Sequence, residues 1–179
     1  MKATYQIDPA HSSAHFTVRH MMITNVRGEF GKVAGEVAFD PARPEQTRIN
    51  ATIDVASINT RDEKRDGHLR SPDFFDVAQH PTLTFTSTAV RRKGDGYEVV
   101  GDLAIRGTSR EIVLTVDEVT REHTDPWGNV KIGASARGKI KRSEWGMMWN
   151  AALEMGGVLV GDDVNIHVEA ELVRVKEVS

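Results

Sequence analysis

Apolar and polar residues alternate with a period of two over most of the chain. Because successive side chains of a strand point to opposite faces of a sheet, this period predicts strands with one buried and one solvent-facing side. The alternation runs through residues 14–18, 49–55, 82–89, 97–105, 112–116, 130–137 and 164–172. In total we expect about eight or nine strands.

Turn-forming residues separate these segments. Glycine, proline and aspartate cluster where strands are expected to end, at 40–41, 94–96, 106–108 and 125–128. The turn at 94–96 predicts a hairpin that joins a strand near 82–92 to one near 97–105. Closing an antiparallel sheet into a barrel buries its apolar face and removes its exposed edges. The fold class is therefore all-β, a closed antiparallel barrel of about eight strands in one domain over residues 1–179.

Residues 60–76 break the strand pattern and predict one short helix near 61–70. Thr60 can cap that helix, with Glu63 as its capping-box partner three residues later. Pro72 limits the helix at its other end. Charged residues of both signs fill its first turns, as on an ordinary solvated helix face.

Several expected inward positions carry small residues, which favours a hollow interior. An eight-stranded barrel is wide enough to hold one small ligand. Alternatively, small residues mark barrel corners or close contact between sheets. The positions are Ala51, Ser87, Ala89, Gly101, Ala134, Ala136 and Gly138.

Residues 143–150 hold two tryptophans and two methionines, and Met21 and Met22 form a second pair of methionines earlier in the chain. Methionine repacks around variable shapes, so these segments could form an adaptable apolar mouth for a ligand. The alternative is that they plug one end of the barrel.

Composition and charge narrow the function classes. The 179 residues are 39% hydrophobic and 27% charged, and they include no cysteine, which excludes disulfides, thiolate metal sites and cysteine nucleophiles. The net charge is −3 and the basic residues are scattered, so the chain lacks the strong positive electrostatic field that nucleic-acid binding usually needs. No apolar run approaches the roughly 20 residues that span a bilayer, and the N-terminus shows no apolar leader segment. We therefore expect a cytoplasmic protein with no stable membrane anchor.

Neither the histidines nor the sequence motifs of the chain indicate a catalytic centre. His15 and His20 lie at an odd spacing on one strand and point to opposite faces, so with His11 they do not form a metal site. His20 has the inward parity, and we expect it to be a neutral histidine held by one hydrogen bond. The GxSxG, Walker A, HExxH and GxGxxG motifs are absent. No metal ligand or catalytic residue is assigned.

A series of sequence blocks in order resembles the YceI-like family, bacterial proteins with a lipocalin-like barrel that bind polyisoprenoid or other long-chain lipids. The resemblance covers nearly the whole chain. The blocks are DPAHS at 8–12, VRH at 18–20, VRGEF at 26–30, INT at 58–60, RDGHLRSPDFFD at 65–76, HPTLTF at 80–85, GDLAIRG at 101–107, RSEWGM at 142–147 and VGDDV at 160–164.

The resemblance implies a hollow barrel that holds an isoprenoid or other long-chain lipid and needs no further cofactor. The protein would then act in carriage, storage or sequestration of that lipid. The resemblance implies no enzymatic activity, since the family has no established catalytic residue, and it makes a homodimer plausible. Two other hypotheses are a protein-interaction module in a redox or stress pathway, and an enzyme acting on a lipid-like substrate through His20 or His68.

We expect an apolar tunnel and a polar group near its mouth. The tunnel residues are Phe16, Val18, His20, Met22, Phe30, Ile53, Phe75, Phe85, Leu103, Ile105, Leu114, Ala134, Trp145, Met147, Met148 and Trp149. Arg65, His68 and Arg70 are the candidates for contact with a head group.

Overall fold

The computed structural model describes residues 2–178 and shows an antiparallel barrel. Within this range the twelve strands are β1 (Ala3–Ile7), β2 (Ser13–His20), β3 (Thr24–Phe30), β4 (Val33–Phe39), β5 (Arg48–Asp54), β6 (Ile58–Asn59), β7 (Thr82–Lys93), β8 (Gly96–Ile105), β9 (Thr108–Val119), β10 (His123–Thr124), β11 (Val130–Lys141) and β12 (Val160–Arg174). The same residues form one α-helix, α1, which spans Glu63–Arg70, and three short 3-10 helices, which span Pro44–Gln46, Val55–Ser57 and Arg142–Trp145.

Eight of these strands close the barrel, which confirms the predicted fold class. They pair antiparallel in the order β1-β4-β5-β7-β8-β9-β11-β12, and β12 pairs back with β1. The hairpin predicted at 94–96 is present, since Lys93 of β7 lies opposite Gly96 of β8. No helix among residues 2–178 has the length and apolar character needed to cross a membrane.

Strand β12 has two partners along one of its edges. Its C-terminal part pairs with β1, from Leu172 to Arg174, whereas its N-terminal part pairs with β2. Strand β2 then pairs with β3, and β3 pairs with the two-residue β6. These three strands extend the wall at one end of the barrel. Helix α1 is tied to this extension, because Arg70 donates to the carbonyl of Ile58 in β6.

The predicted helix exists, but its N-terminal cap differs from the expected one. Asp62 is the N-cap, and its carboxylate accepts a hydrogen bond from the backbone N–H of Arg65. The predicted capping box from Thr60 to Glu63 is wrong. Arg61 has a φ of +62°, so the chain turns before the helix, and the buried Thr60 hydroxyl instead donates to Asp66.

Candidate functional site

A cavity of about 900 Å³ lies inside the barrel. Its wall is formed almost entirely by apolar side chains from the inward faces of the strands. Ile132 and Ile140 both line the cavity and lie eight residues apart on β11, so at the rise of a strand it extends over about 26 Å. This volume is near the upper end of the range for small-molecule sites, roughly 300–1,000 Å³.

Some of the small residues singled out from the sequence leave this space open. Ala51, Ala134 and Ala136 line the cavity, as the hollow-barrel interpretation requires. Gly101 and Gly138 do not leave open space, because larger side chains fill the space beside them. A Cβ on Gly101 would lie 2.4 Å from the Phe85 ring.

Two further small residues are affected by an irregularity in β7. The register between β7 and β8 shifts between Ser87 and Ala89, so Ala89 is exposed and Val90 takes the inward position. The inward assignment of Ala89 is therefore wrong. Ser87 is buried, and its hydroxyl accepts a hydrogen bond from the backbone N–H of Ile49.

The end of the cavity at the start of β5 and β8 is closed by aromatic and apolar side chains. Phe39 and Tyr97 line it and meet edge to face with ring centroids 5.7 Å apart. Thr47 lines it too, and among the described residues its buried hydroxyl has no hydrogen-bond partner. None of these three residues is among those predicted for the tunnel. Alternating apolar residues in β4 (Val33–Phe39) were the available signal for Phe39.

The opposite end of the cavity reaches the protein surface. Arg19, Asp62 and Lys64 are exposed and line the cavity, whereas every other lining residue of the described chain is buried or half-buried. We call this end the mouth. It lies between the end of β2, helix α1 and the segment that precedes β12.

The mouth has an excess of positive charge. Within residues 2–178, the cations that line the cavity are Arg19, Lys64, Arg65 and Arg142, and the single lining carboxylate is Asp62. The backbone N–H of Arg65 lowers the pKa of Asp62, so this carboxylate stays ionised at the helix N-terminus. The excess of cations contrasts with the net charge of −3 of the whole chain.

A buried network holds Arg65 at this position. Asp66 accepts hydrogen bonds from the backbone N–H of Thr60 at 2.9 Å and from the Thr60 hydroxyl. Arg65 donates from Nε to that same hydroxyl oxygen at 2.8 Å, and from Nη2 to the Thr60 carbonyl at 2.7 Å. The guanidinium is thereby fixed at the cavity wall. Thr60 has this structural role in place of the capping role expected from the sequence.

Three aromatic rings form a contact between α1 and the segment before β12. His68 meets Trp149 edge to face with ring centroids 4.7 Å apart, and it meets Phe74 at 5.1 Å. The Nε2 atom of His68 lies 2.8 Å from Asp73 Oδ2, which fixes the ring orientation. All three rings line the cavity. They therefore form part of the mouth.

Arg142 organises the other side of the mouth. It is buried, and its guanidinium donates to four backbone carbonyls, those of Met147, Trp149, Val160 and Gly161. Burial lowers the pKa of Arg142 from its usual value, and the nearby Asp162 carboxylate opposes that shift. These four bonds fix both ends of the segment before β12. The sequence places Arg142 within a family-like block but indicates no role for it.

Most of the residues that the sequence assigned to the tunnel line the cavity. They are Phe16, Val18, His20, Phe30, Ile53, Phe75, Phe85, Leu103, Ile105, Leu114, Ala134, Met147 and Trp149. Two of the three head-group candidates, Arg65 and His68, also line it.

Four assigned residues lie elsewhere, for three local reasons. Trp145 packs in the core next to the cavity wall, because its indole N–H donates to the carbonyl of Leu103 at 2.9 Å. Met22, in the turn after β2, and Met148, in the irregular segment before β12, are mostly exposed to solvent. Arg70 is held away from the mouth by hydrogen bonds to the carbonyls of Ala56 and Ile58. These four residues are not part of the cavity lining.

Both histidines of β2, His15 and His20, belong to the cavity lining, so the lining does not separate them as their odd spacing predicts. His20 is half-buried, and within residues 2–178 its ring forms no hydrogen bond, so the expected single bond is absent. His15 lies beside Glu29 and faces His167 across a ring distance of 6.4 Å.

His11 belongs to a separate polar cluster on the outside of the barrel. It lies with Asp8 and Glu171, and the ligand atoms of the three residues are within 4.8 Å of one another. Lys131 donates to Glu171 at 2.6 Å, so an ammonium group neutralises one of the two carboxylates. The hydrogen bond to Asp8 raises the pKa of His11, which favours a histidine–carboxylate ion pair.

Comparison with known proteins identifies the family. Residues 5–172 match the model of the YceI-like domain. Protein YceI of Escherichia coli O157:H7 is 34% identical over 169 residues, which cover 93% of this chain and 86% of that protein. The chain belongs to the YceI-like family.

Two solved structures share the barrel. BcnA of Burkholderia cenocepacia superposes with a TM-score of 0.80 at 27% identity, and the match covers 92% of this chain and 98% of that one. A domain from Saccharophagus degradans, described as polyisoprenoid-binding and implicated in plant cell wall breakdown, superposes with a TM-score of 0.67. It is 16% identical, with 97% of this chain and 99% of that one covered, so this likeness concerns the fold.

Proposed function

We propose that this YceI-like chain binds a long-chain isoprenoid or similar lipid inside the barrel and acts as a carrier, storage or sequestering protein without catalysis. The observation that carries the proposal is the apolar cavity of about 900 Å³. The description of the Saccharophagus degradans domain as polyisoprenoid-binding supports the same class of ligand.

Burial of a long apolar chain supplies the affinity. Each buried CH₂ group contributes about 0.8 kcal/mol, whereas association costs on the order of 4–15 kcal/mol. A ligand of about fifteen carbons gains roughly 12 kcal/mol gross by the first figure, so shorter molecules bind weakly. The length of the cavity, about 26 Å along β11, suits an extended chain.

The charge at the mouth determines which end of the ligand lies there. Arg19, Lys64 and Arg65 surround the point at which the cavity reaches the surface. Cations at that point favour an anionic or strongly hydrogen-bonding head group over a protonated amine, because the cations repel an amine and, of the described lining, only Asp62 attracts it. We infer that the head group stays at the mouth while the apolar chain extends toward Phe39 and Tyr97.

A substitution that fills the cavity tests the proposal. Ala134 lines the cavity near the middle of β11, and Ala134→Phe places a ring in the path of the ligand. The matched control is Ala34→Phe on β4, because Ala34 is exposed. We expect Ala134→Phe to weaken the binding of a fluorescent prenol at least about ten-fold, and Ala34→Phe to bind as the original chain does. Equal binding by Ala134→Phe, folded as shown by circular dichroism, would contradict the proposal.

A further inference from the structure

Two turns near the mouth expose apolar side chains to solvent. The first turn joins β2 to β3, and the second lies in the segment that precedes β12. Ile23 is 69% exposed, Met148 is 67% exposed and Met155 is 98% exposed. We call the whole group the methionine rim, which consists of Met21, Met22, Ile23, Met148, Met155 and Val158.

The two parts of the methionine rim are in direct contact. The backbone N–H of Met21 donates to the carbonyl of Leu159 at 2.7 Å. The sulfur of Met22 packs directly against Gly157, at a place where a side chain on residue 157 would collide with it. Met21 and Met22 both have positive φ values, which residues with a side chain rarely adopt. The two turns of the rim therefore form one continuous, ordered surface.

The methionine rim borders the opening of the cavity. His20, Trp149 and Leu159 line the cavity, and each is the direct sequence neighbour of a rim residue. A lipid that enters or leaves through the mouth therefore passes beside the rim. Elsewhere in the described chain the exposed large apolar side chains are single residues at Val113 and Trp127 and a pair of valines at Val175 and Val178. Isolated residues of that kind need no functional explanation, whereas a group of them marks an interaction site.

The charges beside the rim indicate what it contacts. Arg19 and Lys64 are exposed at the mouth, and Arg19 is two residues from Met21. The exposed Glu154 is an acidic residue within the segment that carries Met155. Exposed apolar side chains beside basic ones are typical of segments that lie in the interface of an anionic membrane. Attraction by the basic side chains would be local, since the whole chain has a net charge of −3.

We propose that the methionine rim docks reversibly on the surface of a bilayer that contains anionic phospholipids. The mouth then faces the bilayer, and a lipid passes between the membrane and the cavity without exposure of its apolar chain to water. This inference rests on the proposed lipid-binding function, because it concerns where the ligand is collected or delivered. Docking of this kind requires no membrane-spanning segment.

Vesicle sedimentation tests the docking surface. The probe is a vesicle of phosphatidylcholine with about one quarter phosphatidylglycerol, and the variant is Met22→Ser, Ile23→Ser and Met155→Ser combined. We expect the original chain to bind, more weakly at high salt, and the triple variant to bind about ten-fold more weakly. Trp127→Ser is the matched control, since Trp127 is 82% exposed in the turn before β11, whereas the mouth lies beyond the other end of that strand. It should bind vesicles as the original chain does.

Three results would overturn the docking proposal. The first is that the original chain stays in the supernatant, and the second is that the triple variant binds vesicles unchanged. The third is a dimer that sedimentation equilibrium shows to dissociate in the triple variant, because a second copy would then cover the rim.

Binding of a prenol from detergent solution is measured in parallel. If the prenol binds and the vesicles do not, docking fails and the proposed function stands; if vesicles bind and no prenol does, the proposed function fails.

Discussion

His68 and Trp149 meet edge to face at the mouth of the barrel, with ring centroids 4.7 Å apart. This contact joins helix α1 to the segment before β12, and the two rings form part of the cavity wall. A ligand that leaves the cavity passes these rings. The contact is therefore placed to control how fast a bound lipid exchanges.

Removing the ring of Trp149 should speed up ligand release. An aromatic pair contributes about 0.5–1.5 kcal/mol beyond its buried area, so Trp149→Ala should raise the dissociation rate roughly two- to ten-fold. The rate is measured by stopped-flow displacement of a fluorescent prenol. Trp127→Ala removes an exposed indole distant in sequence from the mouth and serves as the control. An unchanged dissociation rate in Trp149→Ala would show that these rings do not limit release.

Arg142 should contribute strongly to the free energy of unfolding. Its replacement by methionine leaves four carbonyl groups without their charged donor, so we expect a loss of about 3 kcal/mol or more in urea denaturation. Arg137→Met is the control, because Arg137 forms an exposed ion pair with Asp117 and should cost less than about 1 kcal/mol. Similar losses in the two variants would contradict the role given to the Arg142 hydrogen bonds.

Replacement of Thr47 by valine should stabilise the protein. Valine has a similar shape and removes a buried hydroxyl that has no hydrogen-bond partner within residues 2–178. Leaving such a group unsatisfied costs about 1–3 kcal/mol, so we expect the free energy of unfolding to rise by about 1 kcal/mol. Thr52→Val, at an exposed position of the same sheet, should have almost no effect. A loss of stability in Thr47→Val would show that the hydroxyl has a favourable interaction.

Asp125 should make stability depend on acidic pH. The side-chain hydrogen bond from Asn129, with further backbone N–H donors from Asn129 and Trp127, lowers the pKa of Asp125 to about 2. Because this pKa is lower in the folded chain than in the unfolded one, the stabilisation is complete above about pH 4 and is lost as the pH falls toward 2. In Asp125→Asn this part of the acid dependence should disappear, as measured by urea denaturation at several pH values. Parallel curves for the two proteins between pH 4 and 2 would contradict this assignment.

The sequence predicts the barrel well where side chains alternate strictly. Strands β5, β7, β8, β9, β11 and β12 were found by their period of two, whereas β1 and β4 were not assigned. In β4, Gly35 and two alanines weaken the contrast between the faces. A bulge after Ser87 also exchanges which residues of β7 point inward and which point outward. The alternation of apolar and polar residues cannot show where a strand contains an extra residue.

The cavity lining is less predictable at the mouth than within the strands. Strand parity places Phe16, Leu103 and Ala134 correctly, because each strand has a defined inward face. Trp145 and Met148 lie in irregular segments, where composition suggests an apolar surface but does not indicate which side chains turn inward. Arg142 was missed for a similar reason, since its role depends on four carbonyls brought together by the folded chain.

Native mass spectrometry of the protein as purified, followed by lipid extraction, tests the central claim most directly. The proposed function predicts an added mass of several hundred daltons that extracts as a prenyl or acyl lipid and is absent from Ala134→Phe. A mass equal to that of the chain alone, together with failure to take up added polyprenyl phosphate, isoprenoid quinone or fatty acid, would contradict it.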